Sequence, residues 1–105
     1  SFMILETKML EKYGVRYEDT EDLVNYTVNL DGVELGILFK ERGPKQVKVS
    51  FRSKQFINVN EIASKFDGGG HMRAAGCTIN NSLQEAVAMV LNYIREYLKE
   101  HGWNH

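Results

Sequence analysis

The sequence predicts an α/β fold, a mixed β-sheet with packed helices. Two segments, at 33–40 and 47–52, alternate apolar and polar residues with the period of a strand and are joined through Gly43-Pro44. Segments of helical period lie on either side of them and open on capping residues. Strands interleaved with helices give a layered domain, and the hairpin contributes an antiparallel pair to its sheet. With 105 residues the chain has the size of one domain, long enough to bury roughly two-thirds of its unfolded surface.

Phe2-Met3-Ile4-Leu5 reads as a short strand, followed by a helix from Glu6 to Tyr13 that stops at Gly14. A second helix starts at Asp19, with Asp22 three residues on as in a capping box. It carries Leu23, Tyr26, Val28 and Leu30 and ends at Asp31-Gly32. Val33, Leu35, Ile37 and Phe39 then alternate with Glu34, Gly36 and Lys40, a strand with one buried face. After the Gly43-Pro44 turn, Val47, Val49 and Phe51 alternate with Lys48, Ser50 and Arg52, so the last three share the face opposite the apolar one. Asn58 caps a short helix whose buried face is Val59, Ile62, Ala63 and Phe66. A glycine loop and a strand from Ala74 to Ile79 follow. Ser82 and Glu85 form the capping box of the last helix, and its stripe of Leu83, Val87, Val90, Leu91, Ile94 and Leu98 packs on the sheet. Phe2, Phe39, Phe51 and Phe66 are core by the same periodicities, whereas Tyr13, Tyr17 and Trp103 have no place in them.

Hydrophobic residues at 43% and charged residues at 26% fit a soluble globular protein, and no apolar run approaches the roughly 20 residues of a membrane-spanning helix. Cys77 is the single cysteine, which excludes an intramolecular disulfide and fits a reducing cytoplasm. It reads as a small buried hydrophobe, since nothing near it would activate a thiolate. Ser1 leads straight into a strand, as expected of a domain taken from a longer protein. The net charge of −1 conceals an asymmetry: residues 40–73 hold eight basic and three acidic side chains, a balance of +5 that leaves −6 elsewhere. An anionic ligand suits that segment better than a neutral one.

Within it lies Asp67-Gly68-Gly69-Gly70-His71, followed by Ala74-Ala75-Gly76. One glycine would terminate the preceding helix; three exceed that need. Neither a P-loop nor a dinucleotide fingerprint fits, because the GxxxxGK[ST] spacing is absent and a strand, not a helix, follows the glycines. The remaining readings are a plain turn and a phosphate cradle, in which glycine N–H groups converge on an oxyanion. In the cradle, His71 acts as donor or cation, and Arg52 offers a planar fork. Ser53 serves either a phosphate or the local backbone, and Arg73 and Lys54 supply background charge.

"SFRSK" at 50–54, "VNEIASKF" at 59–66 and "GGGHMRAAGCTI" at 68–79 together resemble the DHHA1 domain of the DHH phosphoesterase superfamily. Within it the likeness is to the bacterial oligoribonucleases (nano-RNases) that also dephosphorylate phosphoadenosine phosphate. The resemblance implies one DHHA1-like domain over 1–105, carried behind an N-terminal DHH domain that binds two manganese ions. That metal domain would cut the phosphoester, while this one closes over the cleft and holds a short RNA or nucleotide phosphate. The expected substrate contacts are Arg52, Ser53, Gly68, Gly69, Gly70 and His71, with no catalytic or metal ligand in this chain. The resemblance also admits a homodimer of the full protein. A nucleic-acid-binding module of a RecJ-like exonuclease and the substrate domain of a cyclic dinucleotide phosphodiesterase are the alternatives. Asp67 departs from the pattern, standing where a fourth glycine is usual. His101 and His105 are expected to be solvated in the tail.

Overall fold

β1 (Phe2–Glu6) runs parallel to β2 (Leu35–Gly43), with Met3 opposite Gly36 and Glu6 opposite Phe39. Between them the chain forms α1 (Thr7–Glu11), a single 3-10 turn at Tyr17–Asp19, and α2 (Thr20–Thr27). β2 turns through Pro44 and Lys45 into the antiparallel β3 (Gln46–Ser53). α3 (Val59–Lys65), the two-residue β4 (Gly69–Gly70), β5 (Ala74–Ile79) and α4 (Leu83–Glu100) complete the chain. The strand order is β1-β2-β3-β5-β4, mixed because only the first pair is parallel. The computed structural model describes residues 2–102, leaving aside the side chains of Phe2 and Tyr17. Expectations placed on Ser1, on the side chains of Phe2 and Tyr17, and on Trp103 and His105 lie outside the described residues.

One sheet face carries Leu35, Ile37 and Phe39 from β2, Val47, Val49 and Phe51 from β3, and Ala75, Cys77 and Ile79 from β5, all buried. α3 and α4 cover it with Val59, Ile62, Ala63, Val90, Ile94 and Leu98. Two of the three predicted caps, Asn58 and Ser82, behave as expected. Asn58 accepts the Asn60 N–H at 3.1 Å and Ser82 accepts the Glu85 N–H at 3.2 Å, each satisfying a donor the helix cannot. Cys77 is buried here as a hydrophobe, and burial pushes its thiol up to about 11.

The opposite face departs from the expectation of one buried side on β2. Gly36, Leu38 and Lys40 are buried as well, because α1 and α2 pack over β2 from that side. Gly36 makes the approach possible, since a Cβ there would meet Thr27 Oγ1 at 2.7 Å. α2 is also shorter than its sequence suggests. Asp19 makes no capping bond and instead accepts from Arg16 Nε at 3.0 Å, and the helix ends at Thr27. Its buried residues are Thr20, Val24 and Thr27, while Tyr26 is 61% exposed. The predicted apolar stripe followed the larger side chains, but close packing over Gly36 selects the smaller ones. Gly32, at φ +81, turns the chain into β2 rather than ending the helix.

Candidate functional site

α2 packs on β2 and β3, and among the described residues no helix packs extensively on β5 from this face. The exposed floor is set by the alternation in the two strands. Lys48, Ser50 and Arg52 stand on β3 opposite Thr78, Gly76 and Ala74 on β5. Lys48, Ser50 and Arg52 thus come together on one face as the alternation predicts, and small residues on β5 keep the floor low. A cavity of about 290 Å³ lies over Ser50, Arg52, Ala74 and Gly76, walled by Glu21 of α2. A second, of about 520 Å³, continues past Lys48 and Gly76 toward Gly68, Gly69 and Thr78. Because Lys48 and Gly76 line both, they form one trough along β5.

The Arg52 guanidinium is held in a fixed orientation. Nη2 donates to Glu21 Oε2 at 3.0 Å, Nε to Asn25 Oδ1 at 2.6 Å, and Nη1 to the Phe51 carbonyl at 2.9 Å. Glu21 is the hub of this end of the trough. Its Oε1 accepts from Ser50 Oγ at 2.7 Å and lies 3.1 Å from the buried Lys40 ammonium. Burial raises the Glu21 pKa, but the bonds from Ser50 and Lys40 and the charges of Lys40 and Arg52 outweigh it and hold the carboxyl below its ordinary value. Sequence reasoning passed over Glu21 and Asn25. The available signal was that Lys40 on one strand of the hairpin and Lys48 and Arg52 on the other fall on one face, and buried cations require an anion nearby.

The glycine run ends the preceding helix, as one reading of the sequence has it, and then forms a strand that the sequence did not suggest. α3 ends in a Schellman motif, in which the Asp67 N–H donates to Ser64 O at 3.2 Å and the Gly68 N–H to Ala63 O at 2.9 Å. Asp67 itself adopts φ +62, which accounts for a glycine being usual there and for an aspartate being tolerated. Gly69 and Gly70 then pair with Gly76 and Ala75 as an edge strand. The Gly70 N–H donates to Asn60 Oδ1 at 3.0 Å, and the His71 N–H to Ala74 O at 2.8 Å. With the N–H groups of Gly68, Gly70 and His71 engaged within the chain, the expected nest of converging donors is not formed by them. The glycines instead let β4 lie close against β5.

His71 begins the turn from β4 to β5, and its exposed ring has no hydrogen-bond partner among the described residues. The turn also lies near Arg52, which pairs with Ala74 across the strands. Ser53 is buried and serves the backbone: its Oγ donates to Ile57 O at 2.6 Å and to Met72 O at 3.3 Å. Arg73, expected as background charge, braces the same turn through Ile57 O at 2.6 Å and Ser53 Oγ at 3.2 Å. Lys54 reaches Leu30 O at 3.0 Å. His101 is exposed, as expected, while its ring also stacks on Tyr97 at 4.1 Å and its Nδ1 lies 2.8 Å from Tyr97 O. Among the described residues, no group of three or more His, Cys, Asp or Glu is placed to hold a metal ion. No helix there is long and apolar enough to cross a membrane.

The fold and the trough define a small α/β domain with one sheet face partly open beside a glycine-histidine turn. The chain belongs to the DHHA1 domain family, with residues 3–100 matching it. It is similar to the bifunctional oligoribonuclease and PAP phosphatase NrnA of Thermus thermophilus, at 34% identity over 95% of this chain and 31% of that protein. The protein of the same name from Bacillus subtilis is 33% identical over 94% of this chain and 30% of its own length. A solved exopolyphosphatase-related protein from Bacteroides fragilis superposes with a TM-score of 0.73 at 27% identity, covering 94% of this chain and 29% of that one. The chain thus spans about three-tenths of the curated relatives it matches.

Proposed function

We propose that this chain is the substrate-binding domain of a DHH phosphoesterase that hydrolyses short oligoribonucleotides or phosphoadenosine phosphate. The observation that carries the reading is the trough along β5, where the oriented Arg52 borders a floor of Ala74 and Gly76 and the His71 turn leads into the same strand at Ala74. A phosphate on that floor would meet Arg52 from the side, and His71 would donate to it from the turn. Gly69, whose open side meets only Asn60 Oδ1, would let substrate lie against the β4 backbone. Gly68 and Gly70 contribute by close packing, and Ser53 holds the turn that carries His71. The two manganese ions belong in this proposal to a DHH domain of the same chain, because the described residues offer no ligand set for them.

A module for long nucleic acid would be expected to line its groove with exposed aromatics. The exposed Tyr13, Tyr26 and Phe56 line neither part of the trough, which favours a short substrate. The test is steady-state hydrolysis of phosphoadenosine phosphate and a diribonucleotide by the full-length protein and its Arg52→Ala and His71→Ala variants. Loss of a charge-assisted bond, worth roughly 1.5–3 kcal/mol, should lower kcat/KM at least about tenfold for Arg52→Ala. His71→Ala should also lower it, without lowering the melting temperature. Wild-type kcat/KM in both variants would remove these residues from the site.

A further inference from the structure

Resting on the function proposed above, we infer that Asn25 and Glu21 of α2 are positioning residues for substrate. They hold one edge of the Arg52 guanidinium so that the rest of it stays available to a phosphate on the β5 floor. The two side chains stand one helical turn apart and so share a face of α2. They converge on a single arginine of β3: Asn25 Oδ1 accepts from Nε at 2.6 Å and Glu21 Oε2 from Nη2 at 3.0 Å. Nε and Nη2 lie along one edge of the planar group, and Nη1 donates to the Phe51 carbonyl at 2.9 Å. Each terminal nitrogen carries a second N–H, which these bonds leave for a ligand, and Arg52 borders the cavity over Ala74 and Gly76.

Docking of α2 on the sheet does not account for the Asn25 bond. That contact is made by Val24 and Thr27, both buried, where the helix closes over Gly36. The buried Lys40 ammonium lies 3.1 Å from Glu21 Oε1, which also accepts from Ser50 Oγ at 2.7 Å. Glu21 is thereby anchored through one oxygen and offers the other to Arg52 as a rigid stop. Asn25, by contrast, is exposed, and a single exposed hydrogen bond adds little to stability. What it adds is order. An arginine loses rotamer freedom when it binds, and a side chain already held at 19% exposure has less to lose. A phosphate then meets oriented donors rather than a mobile cation.

The experiment is calorimetric titration of this chain with phosphoadenosine phosphate, run as a double-mutant cycle. Asn25→Ala and the near-isosteric Asn25→Leu should each raise Kd about fivefold while melting within a few degrees of wild type. In an Arg52→Lys background, Asn25→Ala should change Kd less than about twofold, because an ammonium presents no planar edge to hold. The Arg52 Nε–H resonance, slow to exchange in wild type, should exchange rapidly in both Asn25 variants. Unchanged Kd in both of them would overturn the positioning role and leave the Asn25 bond to docking alone. An equal loss in the Arg52 and Lys backgrounds would overturn it too, since Asn25 would then act other than through the guanidinium. Wild type that does not bind, or Arg52→Ala that binds as well as wild type, would overturn the functional reading and this inference with it.

Discussion

A Cβ added to Gly70 would meet Ala74 O at 2.6 Å and the Ala75 Cα at 2.7 Å, at a φ of +150 that side chains avoid. One on Gly68 would run into the Gly76 carbonyl and the Cβ of Cys77. At Gly69 the nearest atom is Asn60 Oδ1 at 3.5 Å, an ordinary contact. Three adjacent glycines therefore have different duties. Gly70→Ala should destabilise the domain by about 1–3 kcal/mol, lowering Tm by roughly 5 °C or more, and Gly68→Ala should do likewise. Gly69→Ala should melt within a few degrees of wild type and show its defect in ligand affinity. Thermal melts of the three variants check this, and an equal loss in all three would mean that the edge-strand packing is not what the run serves. The sequence made the run conspicuous because it exceeds what a helix stop needs. It could not separate the three positions, since that depends on which side of β4 faces β5.

α2 shows the same limit at the scale of an element. Its existence was legible in the spacing of polar and apolar residues, but its buried face was not, because Gly36 sets the packing distance from a strand far along the chain. α4 was read closely: its Ser82 cap and long stripe are local features, and Val90, Ile94 and Leu98 are buried as expected. What joins α2 to the trough is Glu21. Glu21→Gln should cost about 1–3 kcal/mol at pH 7, since it removes the carboxylate charge that pairs with both Arg52 and the buried Lys40. The folded-state pKa of Glu21 lies below its ordinary value of 4.5. Its ionic contribution is therefore present above pH 4.5 and is lost as pH falls through the depressed folded value. Urea denaturation of wild type and Glu21→Gln from pH 7 to pH 3 should show two stability curves converging only below pH 4.5. Curves that stay parallel throughout would mean that the carboxylate charge contributes nothing to holding α2.

Across the whole molecule, the mixed sheet, the α3–α4 core and the cationic strand face were all recoverable from alternation and capping. The parallel β1 was recognisable as a strand, but its partner was not, because parallel pairing joins segments about thirty residues apart without a turn signal. The division of labour also belongs to this scale. This chain alone should show no manganese-dependent hydrolysis of phosphoadenosine phosphate, whereas the full-length protein should, and metal-dependent turnover by the chain itself would refute that division. The central claim, that the open sheet face binds a nucleotide phosphate, is tested most directly by following backbone amide shifts while the chain is titrated with phosphoadenosine phosphate. The account predicts saturable shifts concentrated at Arg52, Gly69, His71 and Ala74 to Gly76, with α4 unmoved. No saturable shift, or shifts centred on α4 instead, would contradict it.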